Sequence, residues 1–392
     1  MAWKDVSVMS QREEFVVLAA VEGANVSELC RRFGVSRKTG YKWLSRYASG
    51  GRAGLVDGSR RPQAAAGQTS DAVEQRVLAL RGEHPAWGGR KLRRRLLDLQ
   101  QPDVPAASTI TEILRRHGRL DERAGAGQAN VQRFEHAAPN DLWQMDFKGH
   151  FPMTRGGRCH PLTVLDDHSR YSIGLRACDN ERTQTVQAEL IAMFRRYGLP
   201  RRMLMDNGSP WGDAGDQPWT RLTAWLVRLG ISISHGRPFH PQTQGKDERF
   251  HRTLAAEVLR DRSFTDLFET QRTFDPWRLV YNTQRPHEAL SLEVPASRYR
   301  PSERSFPETL PVVEYAPDVF VRRASTRGVI KFSRRSIRVS VAFASEPLGV
   351  RATRTTDVYE VFYAHQCVGQ FDLNAAPRGR SDTLTIHRIQ RE

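Results

Sequence analysis

Between positions 10 and 47 apolar residues recur at intervals of three and four, which predicts three short helices. Phe15, Leu18 and Ala19 share a face of the first. In "NVSELCRRFG" Val26, Leu29 and Phe33 share a face of the second, with Ser27 as its N-cap, and Gly34 turns the chain into "VSRKTGYKWLSRY". The third helix starts near Ser36. It directs Tyr41 and Leu44 inward and turns Arg37, Lys38, Thr39 and Lys42 outward, the pattern of a recognition helix meeting a DNA major groove. A second helical pair follows in "HPAWGGRKLRRRLLDL" and "VPAASTITEILRRHG". It sets Leu92, Leu96, Ile110 and Leu114 inward and carries Arg90 and Lys91 among its basic outer residues.

From Leu142 the period shortens. "LWQMDFKGHF", "HPLTVLDDHSRY" and "SIGLRACD" read as strands, and "TQTVQAELIAMFRRYG" as a helix burying Val186, Leu190 and Met193 or Phe194. "RRMLMD", "WTRLTAWLVRLG" and "ISISHG" follow as strand, helix and strand, and "FHPQTQGKDERFHRTL" turns into a further helix. Three strands, a helix and then alternating elements describe an α/β layer with a mixed sheet. Past Pro301, "SIRVSVAF", "GVRATRTT", "VYEVFY" and "QCVGQFDL" predict a small antiparallel, SH3-like barrel with Arg334, Arg335 and Arg338 on its solvent side.

Breaks in these periods divide the chain into a helix-turn-helix domain at 1–48, a linker at 49–70, a second helical DNA-binding unit at 71–120, a linker at 121–138, an α/β core at 139–300 and a β-barrel contacting DNA or protein at 301–392. The first linker, rich in Gly, Ser, Ala and Arg, carries Arg60 and Arg61 and has the composition of a minor-groove arm.

Charge narrows the partners. A net +16 over 392 residues favours a polyanion, nucleic acid or an anionic membrane surface. The segments 1–135, 136–299 and 300–392 carry +8, +3 and +5, so the ends hold most of the basic excess. Apolar runs such as Val16 to Val21 fall far short of a membrane span, and no signal-peptide pattern follows Met1, which predicts a cytoplasmic protein without a membrane partner. The cysteines at 30, 159, 178 and 367 form no CxxC pair, so they supply neither a disulfide framework nor zinc-finger spacing.

Three acids fall where a sheet-based site would need them. Asp146 lies in the first strand, Asp206 closes the fourth in "LMDNGS", and Glu248 stands at the start of a helix. Strand ends and helix starts meet at one edge of an α/β sheet. Carboxylates converging there repel unless hard divalent cations such as Mg²⁺ or Mn²⁺ neutralise them, and two such ions would suit phosphodiester displacement. Ordinary roles are also open: Glu248 with Arg252 as a surface i,i+4 pair, Asp247 as a helix-dipole partner, Asp206 in an Asp-Asn-Gly turn. Asp166 and Asp167 compete for the site but end a strand ahead of a tight connection. Asp146, a charge interrupting an apolar strand, has the fewest bland explanations.

In this order "LWQMDFKG", "VLDDHSRY", "DNGSPWG", "HPQTQGKDERFHRTL" and "YNTQRPHEAL" resemble the integrase-core transposases of bacterial insertion sequences, relatives of retroviral integrases, and look most like the four-eight-one group. The resemblance runs over roughly residues 10–300. It implies an RNase H-like fold with a catalytic triad of Asp146, Asp206 and Glu248 that holds two Mg²⁺ or Mn²⁺ ions. Many relatives carry Lys or Arg seven residues after the glutamate. Here Ala255 stands there, which leaves Lys246, Arg249 or Arg252 for the DNA-phosphate role. The His-His-Cys-Cys zinc unit of retroviral integrases does not precede the core.

The expected function is a nucleoid-associated bacterial transposase that binds double-stranded DNA at the terminal inverted repeats of its element, cleaves there, and joins the freed 3′-hydroxyl to target DNA as a homodimer or higher oligomer. The competing expectation is a regulator that binds specific DNA and retains a catalytically dead core.

Overall fold

The computed structural model describes residues 8–57, 69–120, 135–212, 219–236, 245–375 and 383–387. The chain divides into two units, Met1–Thr69 and Ser70–Glu392. Arg60 and Arg61 lie outside the described residues.

The first unit holds α1 (Val8–Ala19), α2 (Val26–Arg32) and α3 (Arg37–Gly50), followed by a 3₁₀ turn at Gly51–Leu55. Phe15, Val16, Cys30, Trp43 and Leu55 form its core. Three expectations shift. The cap of α2 is Asn25, whose side chain accepts from Ser27 N and Glu28 N, so Ser27 already lies inside the helix. Tyr41 is 56% exposed and Trp43 takes the inward place, because the face of α3 that meets α1 runs through Gly40 and Trp43. At Gly40 a Cβ would stand 2.5 Å from Cys30 Sγ, so only glycine allows that approach. Leu55, assigned by composition to the linker, is fully buried, which extends the packed unit past residue 48.

The second unit begins with α4 (Asp71–Glu83), α5 (Gly89–Asp98) and α6 (Ala107–Arg116). These bury Leu92, Leu96, Ile110 and Leu114 as expected, together with Val77, Leu80 and Trp87. A sheet follows: β1 (Trp143–Phe147), β2 (Phe151–Pro152), β3 (Arg158–Asp166), β4 (Ser172–Cys178), then α7 (Thr183–Tyr197), β5 (Arg202–Met205), α8 (Arg221–Arg228) and β6 (Ser232–His235). The order is β2-β3-β1-β5-β6, with β4 also on β3. β1, β3 and β4 pair antiparallel, whereas β5 joins β1 and β6 joins β5 in parallel. This is the mixed sheet of an RNase H-like core.

Alternation along the strands builds two apolar layers. Trp143, Met145, Leu162 and Val164 pack with Val186, Leu190 and Phe194 of α7. Leu165 and Leu175 meet α9 (Gly245–Leu254) and α10 (Leu267–Thr283) through Phe250, Leu254, Phe274 and Tyr281. The open edge of β4 is covered by α10. Asn282 accepts from Ser172 N at 2.8 Å and donates to its carbonyl at 3.0 Å, while Gln271 accepts from Ala177 N at 2.8 Å.

The carboxyl-terminal strands form two small sheets. β7 (Phe320–Arg323), β10 (Pro347–Ala352), β11 (Val358–Tyr363) and β12 (Gln366–Asp372) make one, in the order β12-β11-β10-β7, and β8 (Val329–Phe332), β9 (Arg335–Arg338) and β13 (Thr383–Thr385) make the other. Among the described residues they are separate ladders, and β13 runs parallel to β9, so the region is all-β but these ladders do not by themselves establish the expected antiparallel SH3-like barrel. Nor is the region independent. Ile330, Phe343, Val350 and Phe371 belong to the same apolar cluster as α7 and α8, and Trp219 Nε1 donates to the Val368 carbonyl at 3.0 Å. Among the described residues no helix is long and apolar enough to cross a membrane.

Candidate active site

The parallel register of β1 and β5 brings two of the predicted acids together. Trp143 lies opposite Met203 and Gln144 opposite Leu204. Extended by two residues, that register aligns Asp146 in β1 with Asp206, the residue just past the end of β5, and strand neighbours lie about 5 Å apart. Asp146 Oδ1 accepts from Phe147 N at 2.8 Å. Asp206 Oδ1 accepts from Gly208 N at 3.0 Å, and its carbonyl accepts from His235 Nδ1 at 2.8 Å, which closes the turn after β5. The turn role and the site role of Asp206 are therefore compatible. Burial, and next the negative charge of Asp206, push the Asp146 carboxyl up to about 6, against the opposing Phe147 N–H.

Glu248 stands apart from this pair. Its side chain is 65% exposed, with one oxygen 3.9 Å from Arg252 Nε. Among the described residues no three His, Cys, Asp or Glu side chains are close enough together to hold a metal ion. The inward acid of α9 is its neighbour Asp247, 1% exposed, with neither carboxylate oxygen hydrogen-bonded. Burial, and then Asp146 and Asp167, raise the Asp247 carboxyl well above the usual range. The expected dipole partner is instead a buried acid whose charged form burial disfavours.

Helical geometry explains this division. Asp247, Phe250 and Leu254 form the buried stripe of α9, and Glu248 follows Asp247 by about 100°, on the flank that His251 shares. His251 faces the first catalytic candidate: its Nδ1 is 4.0 Å from Asp146 Oδ2. Thr163 Oγ1 donates to the Asp146 carbonyl at 2.9 Å and lies 2.8 Å from His251 Nε2. Burial, with Lys148 adding to it, lowers the His251 imidazole to about 4. Sequence reasoning missed His251 and Thr163; the only signal for the former was its place one turn after Asp247.

On the opposite flank Lys246 is engaged within the protein: its ammonium is bonded to the Asp167 carboxylate, with only 17% of the side chain exposed. Asp167 also accepts from Gln144 Nε2 at 2.7 Å and His136 N at 2.9 Å. Asp166 accepts from Asn140 N at 2.8 Å and from Ser169 N at 2.8 Å. Both competing acids thus organise the β3–β4 connection. Arg249 and Arg252 remain exposed on α9.

Elsewhere, Arg37, Lys38 and Lys42 are exposed on α3, while Thr39 is half-buried with Oγ1 2.9 Å from Ser36 Oγ. Arg90 and Lys91 line a cleft of about 360 Å³ with Ser108 and Thr111, where Arg90 meets Glu288 at 3.4 Å. Burial lowers the Lys91 ammonium to about 8, with Arg285 the next cause.

Comparison with known proteins agrees with these elements. Residues 136–241 match an integrase core domain and 229–295 a second model of the same description, residues 11–63 a helix-turn-helix domain, and 39–114 a homeodomain-like domain. The chain thus has a helix-turn-helix region ahead of an integrase core domain, and it is similar to proteins of bacterial insertion elements. Its relatives include the uncharacterized 39.2 kDa protein of insertion element IS476 from Xanthomonas euvesicatoria, 27% identical over 58% of this chain and 64% of that protein. Another is the uncharacterized 31.7 kDa protein of insertion element IS407 from Burkholderia multivorans, 26% identical over 58% of this chain and 80% of the relative. Neither name carries the four-eight-one assignment.

Partial structural likenesses include the simian T-cell lymphotropic virus intasome in complex with PP2A regulatory subunit B56 gamma (13% identity, 74% of this chain, 97% of that one, TM-score 0.35). The HTLV-2 integrase catalytic core domain in complex with magnesium is a second (14% identity, 42% and 99%, TM-score 0.30). At these scores neither bears on the mechanism.

Proposed function

We propose that this protein is a DDE transposase that binds the terminal inverted repeats of its own element, cleaves the DNA there and transfers the strand ends to target DNA. The observation that carries the reading is the closeness of Asp146, in β1, to Asp206, just past the parallel strand β5, where burial first and then their repulsion hold the Asp146 carboxyl up at about 6. Such a pair costs stability unless a cation neutralises it, and hard oxygen donors suit Mg²⁺ or Mn²⁺. Asp146 Oδ2 and the Asp206 carboxylate are the donors that fit; Glu248, on the adjoining flank of α9, would complete the set by a side-chain rotation away from Arg252. A pair of such ions, when bound, activates the attacking oxygen and stabilises the leaving one.

The protein's own part is positioning. Asp206 is fixed by its turn and Asp146 by the Phe147 N–H, so the two donors are held before DNA arrives. Arg249 and Arg252, exposed beside Glu248, suit the backbone phosphates of the reacting strand. In the first unit, Arg37, Lys38 and Lys42 on α3 suit the major groove, with Thr39 a lesser contributor because it is half-buried. Arg90 and Lys91 add a second basic patch. Joining two element ends to one target requires at least a dimer on DNA, in the bacterial nucleoid.

The test uses the full chain and a supercoiled plasmid carrying the DNA that flanks its gene. Nicking and strand transfer should appear with Mg²⁺ or Mn²⁺, vanish with EDTA, and be absent from Asp146→Asn and Asp206→Asn while repeat binding persists. Repeat binding by the unaltered chain without any metal-dependent nicking would instead establish the regulator, the outcome to which the outlying Glu248 points.

A further inference from the structure

The helix that bears Glu248 is fastened to the sheet at two polar points, and one of them ends on the strand of Asp146. The Asp146 carbonyl can only accept, so the single proton of the Thr163 hydroxyl is directed to it at 2.9 Å. The same oxygen must then accept from His251 Nε2 at 2.8 Å. That places the ring proton on Nε2 and leaves the Nδ1 lone pair facing Asp146 Oδ2 at 4.0 Å. Thr163 is fully buried and lies directly across the ladder from Asp146, so the chain from His251 to Asp146 has no slack from solvent-exposed groups. The second point, Lys246 on Asp167, holds the other flank of the same helix.

We propose that His251 is a positioning residue: through Thr163 it ties α9 to the strand of Asp146 and thereby sets how closely Glu248 can approach Asp146 and Asp206. The inference rests on the metal-dependent function proposed above. Glu248 lies three residues before His251, about one turn away on the adjoining part of the helix surface, so a few degrees of helix rotation moves its carboxylate by a sizeable fraction of an ångström. Lys246 limits that rotation from one flank and His251 from the other. Of the two, His251 is the one linked to the Asp146 backbone, through the Thr163 hydroxyl. Its function in this arrangement is geometric and requires no proton transfer.

The experiment measures Mn²⁺ binding to the full chain without DNA, from the electron paramagnetic resonance signal of free Mn²⁺. It is read beside the melting temperature in EDTA and the strand-transfer kcat and KM. Glu248→Gln should lose Mn²⁺ affinity outright. His251→Ala should weaken it by about 10–100-fold, as loss of a ligand-orienting contact does, lowering kcat with KM for DNA unchanged. His251→Gln, whose amide N–H can reach the Thr163 hydroxyl, should recover most of the loss. Should His251→Ala not fold, the pair Thr163→Val and Thr163→Ser decides the matter, because only the serine keeps the bridging hydroxyl.

Retention of Mn²⁺ affinity within twofold by His251→Ala, or by Thr163→Val, overturns the tether while Glu248→Gln still fails. A glutamine no better than alanine does the same. If Glu248→Gln itself binds Mn²⁺ like the unaltered chain, the assignment of Glu248 to the site falls first, and the tether with it.

Discussion

Asp247→Asn isolates the cost of the buried acid. In the folded chain both carboxylate oxygens are buried and unbonded, and burial with two neighbouring aspartates raises the carboxyl well above its ordinary range. The unfolded chain ionises near the usual 3.8. Above that value the folded state therefore binds more protons than the unfolded state, and stability falls as pH rises. The loss runs at about 1.4 kcal/mol per pH unit for as long as the folded carboxyl stays protonated. Asparagine keeps the shape and does not titrate. The gain of Asp247→Asn over the unaltered chain should therefore grow as pH rises above about 4, by up to about 1.4 kcal/mol per pH unit, a gap in melting temperature that widens by about 2 °C per pH unit for a unit of roughly 320 residues. Thermal melts of both chains in EDTA at pH 5, 6 and 7 measure it. Removing metal matters, because a cation near Asp146 would mask the effect. Parallel melting curves would refute the reasoning, since they would mean that Asp247 ionises in the folded chain and has a partner.

Arg37→Ala or Lys38→Ala should weaken binding to the element's end by about 1–3 kcal/mol in a gel-shift titration if α3 reads bases; unchanged binding would remove α3 from the groove. Lys246→Met should cost about 1.5–3 kcal/mol in urea denaturation, because it removes the bonded cation of the 1%-exposed Asp167, which keeps its Gln144 and His136 hydrogen bonds. A DNA-contact lysine would leave stability intact and lower the salt slope of binding by about one unit. Removing residues from 305 onward should destabilise the whole core, not just weaken DNA binding, since α8 and Trp219 pack directly on the removed strands. A truncated chain with the melting temperature of the full one would show that those strands fold separately.

Much of this protein is determined by local pattern. A period of 3.6 or 2 reflects which face of an element avoids water, so the strands containing Asp146, Leu162 and Leu204 and the helices burying Leu92 and Val186 were legible from the sequence. The neighbourhood of Asp146 and Asp206 was legible too, because acids at corresponding strand ends meet when a mixed sheet forms. Errors came where the outcome depends on what lies across the interface. Ser27 and Asn25 differ by two residues, and the first-turn geometry decides which one caps. Leu55 reads as linker by composition until the fold returns it to Phe15.

The two acids of α9 show the limit most directly. Asp247 and Glu248 are adjacent, equally charged and at the same end of the helix, so no periodicity distinguishes them. The azimuth of α9 distinguishes them, and that is set by Phe250 and Leu254 packing on Leu165 and Leu175, by Lys246 pairing with Asp167, and by His251 meeting Thr163. Each of those partners lies about 80 residues or more away along the chain. Local sequence specifies that a helix forms and which residues share a stripe; the direction in which that stripe points is fixed by long-range packing, because burial and charge pairing are properties of the assembled interface and not of the helix alone.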